Sequence, residues 1–422
     1  MIEKAILVTV EFESMPRDTS SKDAAAELED LCRSAGLSVT RSIVFRQKSP
    51  NAPLLIGRGK AEELRALVLK EKAHTVVFDS DLSSTQARNL EEALSAKTLD
   101  RTQVILDIFA RRARSMEGQL QVELAQLKYL LPRLSGKGTA LSRLGGGVGT
   151  RGPGEQKLEV DRRRIREKIT RLSRELKELK DRRAESIRKK KEKNLPLAAL
   201  VGYTNAGKST LFNQLTDASV VVKDQLFSTL DTTTRLLRLP GNQKVFLADT
   251  VGFIRDLPHH LIESFKATLE EAVHADILIH VIDASRAEFG SLKRSVDNVL
   301  KELGADQNRT VLVFNKIDQV TEEARDKLMR AHWKDGVPVS AKNGQGIPAL
   351  LKRLEQSLPG VRLQRRIHVP RERFGLIGFL YEEAEVLARQ DDEFGVTLTV
   401  NLTEAVERKF YSKLKKKPPN AA

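Results

Sequence analysis

One eight-residue segment combines residue types and spacing suited to binding a nucleotide phosphate. It is Gly202-Tyr203-Thr204-Asn205-Ala206-Gly207-Lys208-Ser209, of the form G-x(4)-G-K-S, with an apolar run at 197–201 before it and a helical pattern at 210–215 after it. A strand, this loop and a helix, in that order, let backbone N–H groups surround phosphate oxygens. The Lys208 ammonium can reach the β- and γ-phosphates, and the Ser209 hydroxyl can bind Mg²⁺. The segment therefore predicts a site for a nucleoside triphosphate with magnesium.

Three shorter motifs follow, each after an apolar run and in the order that guanine-nucleotide binding requires. The first is Asp249-Thr250-Val251-Gly252, whose carboxylate can hold Mg²⁺ through water and whose Gly252 N–H can contact the γ-phosphate. The second is Asn315-Lys316-Ile317-Asp318, in which Asp318 can accept the two N–H groups that guanine has and adenine lacks. Lys316 can pack its stem along the base. The third, Ser340-Ala341-Lys342, offers a backbone N–H to guanine O6, so the set predicts binding of GTP and GDP.

A switch threonine must lie between the phosphate loop and Asp249. The segment Phe227-Ser228-Thr229-Leu230-Asp231 supplies one, followed by further threonines. We expect Thr229 to be the second Mg²⁺ ligand, with Thr233 as the alternative. The residues expected to act in hydrolysis are Lys208, Thr229 and Gly252.

The position after Gly252 predicts slow unassisted hydrolysis. Many small GTPases have a water-orienting glutamine there, whereas this chain has Phe253. An apolar side chain cannot orient the attacking water, so the intrinsic rate is expected to be on the order of 10⁻⁴–10⁻² s⁻¹. A partner or a cation would complete the site. One hypothesis is a K⁺ ion beside Asn205; the alternative is that asparagine simply suits the turn.

Composition narrows the class of protein. The chain has 422 residues, 72 basic and 57 acidic, for a net charge of +15, which favours a polyanionic partner. The single cysteine, Cys32, excludes an internal disulfide framework and suits a reducing cytosol. No apolar run approaches the roughly 18 residues of a membrane span, and the N-terminus has a strand pattern instead of a signal peptide. We expect a cytoplasmic monomer, with peripheral membrane association left open.

Periodicity predicts a multidomain α/β chain. Residues 1–106 alternate strand patterns, at 5–12, 37–45, 75–79 and 103–106, with helical patterns at 22–35, 60–72 and 84–96, as expected of a small α/β domain. Residues 196–359 form the doubly wound GTPase domain, and 360–422 a small α+β domain with a basic tail. The loop 57–60 is expected to be a helix start, with a second phosphate site as the weaker alternative.

Residues 107–195 predict a helical arm. A helix over 107–131, a loop at 145–154 with six glycines and a helix over 155–193 with a heptad seam should form an antiparallel hairpin. Residues 161–193 carry 16 basic and 7 acidic side chains, a net +9. Charge this one-sided predicts contact with phosphates, although a solvated face is the alternative.

The arm resembles the HflX family of translation-associated GTPases. The strongest match is Phe109-Ala110-Arg111-Arg112-Ala113-Arg114-Ser115-Met116-Glu117-Gly118-Gln119-Leu120-Gln121-Val122-Glu123-Leu124-Ala125-Gln126-Leu127, then Leu131-Pro132-Arg133-Leu134, residues 145–155 and Asp161-Arg162-Arg163. The phosphate loop and Phe227-Ser228-Thr229-Leu230-Asp231 match as well. Gln156-Lys157 and Thr232 depart from the family pattern, but none of the three is an expected phosphate or Mg²⁺ ligand.

The resemblance implies a function for the arm. Members of this family bind the large ribosomal subunit and its rRNA in the GTP form and dissociate stalled or idle 70S ribosomes under stress, while the ribosome stimulates hydrolysis. The glycine loop would then reach toward the catalytic centre of the large subunit. Two alternatives remain: a ribosome-assembly GTPase acting on immature subunits, and an RNA-binding or remodelling protein with a structural nucleotide.

Overall fold

A computed structural model describes most of the chain, in two compact units. The described residues are 3–14, 20–136, 153–192, 195–216, 226–227, 233–255, 258, 261, 269, 271–286, 288–323, 336–358 and 363–415. The first unit comprises Met1–Arg183, Lys223–Asp231 and Val251–Thr268, and the second comprises Ala184–Val222, Thr232–Thr250 and Leu269–Ala422. Among the described residues, no helix combines the length and apolar character needed to cross a membrane.

The first unit contains a four-stranded parallel sheet, which confirms the predicted N-terminal α/β domain. Its strands, in the order β2-β1-β3-β4, are β1 (Lys4–Phe12), β2 (Ser38–Gln47), β3 (Thr75–Phe78) and β4 (Lys97–Asp100). Between them lie α1 (Ser21–Ser34), α2 (Arg58–Glu71) and α3 (Ser84–Leu94). The loop at 57–60 is a helix start, because Gly57 is the residue before α2. Cys32 is fully buried, and burial raises the pKa of its thiol to about 12.

The fourth strand predicted in this domain is wrong. Residues 103–106 lie in helix α4 (Arg101–Arg112), and the strand precedes them as β4. The Asp100 side chain caps the helix by accepting the N–H of Gln103 at 2.9 Å. A short apolar run fits a buried strand and a buried helix equally well, so the cap decides this case. The predicted domain boundary at residue 106 therefore falls inside a helix.

The long helix predicted over 107–131 is also wrong, since two helices occupy this region. Helix α4 ends at Arg112, Ala113 is extended, and α5 (Met116–Leu130) begins after Ser115. The Ser115 hydroxyl accepts the N–H of Gly118 at 2.9 Å, an N-cap that favours a new helix start. A 3₁₀ turn at Leu131–Gly136 follows α5, consistent with the expected end of the helix at Pro132.

The helical hairpin of the arm is confirmed. Helix α6 (Pro153–Glu192) packs its leucine seam against α5. The shared cluster consists of Leu120, Leu124, Leu172 and Leu176, with Leu127, Ile169 and Leu179 partly buried at its margin. Lys168 and Glu123 add an ion pair between the helices. Glycine-loop residues 145–152 lie outside the described residues.

One buried carboxylate, that of Asp100, joins the C-terminal end of α5 to the N-terminus of α4. Asp100 accepts hydrogen bonds from the Leu82 N–H at 3.2 Å, the Tyr129 hydroxyl at 2.8 Å and the Arg133 guanidinium at 2.9 Å, besides the Gln103 N–H. Burial raises the pKa of Asp100, and the hydrogen bonds and the Arg133 charge oppose that shift. The Arg133 guanidinium lies 3.4 Å from the Tyr129 ring centroid. Helix α5 is thereby joined to Asp100, the N-cap residue of α4.

The second unit contains a six-stranded sheet in the order β10-β9-β8-β5-β7-β6. Only the β6–β7 pairing is antiparallel among the described pairs of this sheet. Its strands are β5 (Leu197–Gly202), β6 (Thr233–Arg238), β7 (Lys244–Asp249), β8 (Ile277–Asp283), β9 (Arg309–Asn315) and β10 (Gly336–Pro338); its helices are α7 (Lys208–Thr216), α8 (Phe289–Glu302) and α9 (Ile347–Ser357). This arrangement confirms the predicted doubly wound GTPase domain.

A small α+β layer follows, as predicted. Its antiparallel sheet has the order β11-β13-β12, formed by β11 (Leu363–Pro370), β12 (Glu385–Asp391) and β13 (Gly395–Leu402), with α10 (Gly375–Glu383) and α11 (Glu404–Lys415). The Asn242 amide donates to the carbonyls of Tyr381 and Ala384 at 2.9 and 3.0 Å. These bonds join the layer to the β6–β7 turn.

The leucine cluster should account for most of the stability of the hairpin. Leu172 is 2% exposed, so Leu172→Ala should lower the free energy of unfolding by about 2–5 kcal/mol through lost burial and a cavity. Urea unfolding measures the loss, and hydrogen exchange of the α5 amides should rise with it. The control is Val160→Ala on the exposed face of α6, where Val160 is 37% exposed. Equal losses in both variants would contradict a buried hairpin seam.

Candidate nucleotide-binding site

The phosphate loop connects the end of β5 to the start of α7, as its motif predicts. Both of its glycines occupy positions that a side chain could not. Gly202 has φ +149° and Gly207 has φ +89°; a Cβ would lie 2.2 Å from the Val281 carbonyl oxygen at Gly202 and 2.2 Å from Asn315 Nδ2 at Gly207. Asn205 between them has φ 59°, a left-handed conformation that asparagine tolerates better than most residues. The loop backbone is thus curved tightly at the N-terminus of a helix.

The Lys208 ammonium lies inside this loop. Its Nζ donates to the carbonyl oxygens of Gly202 at 3.1 Å and Tyr203 at 2.8 Å. Lys208 is 6% exposed, and burial lowers the pKa of its ammonium to about 8, an effect that the nearby Asp249 carboxylate opposes. A triphosphate would bring negative charge to this cation and favour its protonated form. The position suits the role predicted for Lys208.

Ser209 and Asp249 are brought together as a magnesium site requires. The Ser209 hydroxyl donates to Asp249 Oδ2 at 2.8 Å, and both residues are buried. A hydroxyl and a carboxylate are oxygen donors, the kind that Mg²⁺ prefers, and Mg²⁺ at such sites takes its other ligands from phosphates and water. The described residues contain no group of three or more His, Cys, Asp or Glu that could hold a metal. The donor set therefore fits a magnesium ion that arrives with its nucleotide.

Asn315 joins two loops of the site. Its Nδ2 donates to the Ala206 carbonyl at 2.8 Å, and its Oδ1 accepts the Ala341 N–H at 3.0 Å. The second bond engages the amide of Ala341, so the guanine O6 contact predicted for Ser340-Ala341-Lys342 must share that N–H or use another amide of the segment. The sequence predicts that Asn315 contacts the nucleotide. In the structure its side chain joins the two loops by hydrogen bonds.

Asp283 is a residue of the site that sequence reasoning missed. Its carboxylate lies 2.8 Å from Lys316 Nζ and accepts the Ser285 hydroxyl at 2.5 Å. Lys316 has φ 63°, and its ion pair with Asp283 orients the stem that was expected to pack on the base. A signal was available: Asp283 ends an apolar strand, and ligands of parallel α/β sheets bind at the carboxyl ends of strands. Asp318 is exposed within the turn Ile317–Gln319, accessible to a base.

The remaining predicted residues are placed as follows. Thr250 is fully buried, and its hydroxyl donates to the Leu200 carbonyl at 2.6 Å, so its side chain supports the sheet. The alternative switch residue, Thr233, is the first residue of β6. Val251, Gly252 and Phe253 follow in the first unit, where Phe253 is 2% exposed. Phe227 is buried in that unit as well, and residues 228–231, including Thr229, lie outside the described residues.

Four family models match the chain in sequence order. Their descriptions are "GTP-binding GTPase N-terminal" for residues 22–110, "GTP-binding GTPase Middle Region" for 112–190, "50S ribosome-binding GTPase" for 197–316 and "HflX C-terminal domain" for 327–421. Among solved structures, a GTP-binding protein from the archaeon Sulfolobus solfataricus in complex with GDP is 26% identical, with a TM-score of 0.44, over 84% of this chain and 98% of that one.

Relatives similar over nearly their full length carry one name. The GTPase HflX of Caldanaerobacter subterraneus is 44% identical over 97% of this chain and 93% of the relative. The GTPase HflX of Escherichia coli is 41% identical over 95% of this chain and 93% of the relative. At these identities and coverages, and with the four family models matched in order, the chain belongs to the HflX family of GTPases.

Proposed function

We propose that this GTPase binds the large ribosomal subunit in its GTP state, that binding dissociates stalled or idle 70S ribosomes under stress, and that hydrolysis releases the protein. The observation that carries the proposal is the charge of the arm, where residues 161–193 contain 16 basic and 7 acidic side chains. The second candidate from the sequence, action on immature subunits, has no structural observation in its favour.

The face of α6 away from α5 carries exposed charged side chains, with basic residues in excess. Leu172 and Leu176 are buried against α5, and the exposed side chains in the described part of the helix include seven basic and five acidic residues. The exposed basic residues in the described part are Arg163, Arg164, Arg166, Arg171, Arg174, Lys177 and Arg182. Several of them pair with acidic neighbours on the same helix, such as Arg171 with Glu175 at 3.7 Å. Exposed ion pairs of this kind contribute little to stability. Such a face suits the phosphates of rRNA, which release counterions on binding.

The composition of the nucleotide site supports a role for the ribosome in GTP hydrolysis. Mg²⁺ would be held by Ser209 and, through water, by Asp249, with Thr229 as the switch ligand in the GTP state. The buried ring of Phe253 cannot orient water, so Lys208 and the Gly252 N–H would stabilise the γ-phosphate without a complete hydrolytic site. The ribosome would supply the missing group, and K⁺ beside Asn205 is a second source of positive charge. The family description for residues 197–316, which names the 50S subunit, supports this partner.

Guanine selectivity should depend on Asp318. Asp318→Asn should weaken GTP binding by about 3 kcal/mol, roughly 100-fold, because the carboxylate accepts two guanine N–H groups. The same change should improve binding of xanthosine triphosphate, whose 2-oxo group accepts from the new amide. Titration with both nucleotides tests this. Asp306→Asn, the same change at an exposed aspartate outside the motifs, is the control. Unaltered GTP affinity in Asp318→Asn would contradict the assignment.

The arm face should control affinity for the large subunit. Reversing Arg166, Arg174 and Lys177 to Glu should weaken binding and reduce the slope of log affinity against log salt by about three. It should also remove the stimulation of GTP hydrolysis, which we expect to be at least about tenfold in KCl. The control reverses three exposed cations of α2, Arg58, Arg65 and Lys70, which gives the same net charge. Equal losses in both variants would mean that total charge, and not the arm, sets affinity.

Binding, and not hydrolysis, should separate the subunits. With a non-hydrolysable GTP analogue, light scattering should show 70S dissociation in a single round, because the GTP state is maintained while release is blocked. With GDP, scattering should stay constant. Absence of dissociation with the analogue, when GTP supports it, would assign the separation step to hydrolysis.

A further inference from the structure

Helix α4 contacts a segment beyond the Asp249–Gly252 motif through its first residue. The Arg101 guanidinium donates to Asp79 Oδ1 at 3.1 Å, to Glu27 Oε1 at 3.0 Å and to the Arg255 carbonyl oxygen at 3.1 Å. The side chains of Arg101, Asp79 and Glu27 are 7%, 1% and 8% exposed. A buried arginine held by two carboxylates is fixed in direction, so its hydrogen bond to the Arg255 carbonyl constrains the backbone at residue 255, three residues beyond Gly252.

The last turn of α4 contacts the segment that precedes Thr229, the predicted switch threonine. The Phe109 ring packs edge-on against Phe227, with centroids 4.7 Å apart and planes at 79°, and both rings are 2% exposed. Phe227 has φ 55°, a conformation that a bulky residue keeps only where its surroundings hold it. The adjacent Leu226 N–H donates to the Ser34 hydroxyl of α1 at 3.2 Å. Phe227 lies two residues before Thr229, the predicted Mg²⁺ ligand.

The N-terminus of α4 is also joined to the C-terminal end of α5, the first helix of the arm hairpin. Asp100, which caps α4, accepts the hydroxyl of Tyr129 in α5 and the guanidinium of Arg133 just after it. Helix α5 in turn shares the leucine cluster with α6. Helix α4 and its N-cap therefore contact the segment at residue 255, the segment at Phe227 and the C-terminal end of α5, all within the first unit. We call the first two the switch segments.

We propose that α4 transmits to the arm whether GTP or GDP is bound, with Arg101 and Phe109 as positioning residues. This inference rests on the proposed function. In GTPases the γ-phosphate and Mg²⁺ order both switch segments, and hydrolysis releases them. A shift of residue 255 or Phe227 acts directly on α4, because each is packed or hydrogen-bonded to it. A shift of α4 acts on Asp100 and so on α5. Linkage requires the reverse effect: rRNA bound to the arm changes the affinity for GTP by the same factor.

The first test uses the full-length protein without ribosomes. Hydrogen exchange of the α5 amides should differ between the GTP-analogue and GDP states of the wild type. Phe109→Leu, which removes the ring contact but keeps an apolar side chain, should abolish that difference. Phe45→Leu is the matched control, because Phe45 is buried in the separate core on the other side of the sheet, and it should keep the difference. No difference in the wild type, or a full difference in Phe109→Leu, would overturn the proposal.

The second test measures coupling to the large subunit. The wild-type ratio of the Kd with GDP to the Kd with the analogue should be at least about five. Phe109→Leu should lower that ratio at least about threefold, and it should lower the effect of the subunit on analogue affinity by the same factor. Two milder variants protect the test from unfolding: Ser34→Ala, which removes one hydrogen bond, and Arg101→Lys, which keeps the charge but not the forked geometry.

The outcomes separate the two proposals. If the wild type does not bind the large subunit in either state while the exchange difference is present and depends on Phe109, the ribosomal function fails and the α4 coupling stands. If the wild type binds with a clear nucleotide ratio that Phe109→Leu, Ser34→Ala and Arg101→Lys all retain, with unchanged thermal unfolding, the coupling through α4 is overturned and the function stands.

Discussion

The side-chain amide of Asn315 is the interaction on which the nucleotide site depends. One amide holds the phosphate loop through the Ala206 carbonyl and the segment 340–342 through the Ala341 N–H. The loop can approach that amide only because residue 207 is glycine, where a Cβ would lie 2.2 Å from Asn315 Nδ2. Three motifs far apart in the chain thus meet through one glycine and one amide. The buried ammonium of Lys208 and the Ser209–Asp249 pair are positioned by the same loop.

The arm shows how burial of one face determines the chemistry of another. Helix α6 has enough apolar residues for one stripe, and α5 covers that stripe with its own leucines. The charged residues then have no position except the outer faces, and over 161–193 the sequence has 16 basic and 7 acidic residues. Charge of that kind adds little to folding stability, since exposed ion pairs contribute little, but it suits the polyanionic partner that we propose. Hairpin stability and the proposed phosphate binding are therefore separate properties of the same helix.

The first unit holds two buried polar centres around α4, and both are unusual in a domain core. Asp100 and Arg101 are consecutive residues, one accepting four hydrogen bonds and the other donating to two carboxylates and a carbonyl. Buried charges are costly unless they are paired and hydrogen-bonded, and these are both. An apolar pair would stabilise a fold more simply. The polar pair instead links specific backbone positions, the condition for transmitting a change of conformation.

The sequence by itself determined the motif order, the sheet of the GTPase domain, the hairpin seam and the charge of the arm. Each depends on local spacing, which periodicity and short motifs record. It did not determine that residues 103–106 form a helix, because an apolar run of four fits either structure and only the Asp100 cap distinguishes them. Nor did it show Asp283 beside Lys316, or Phe109 against Phe227. Those contacts join residues far apart in the chain, and only tertiary packing brings them within hydrogen-bond or ring distance.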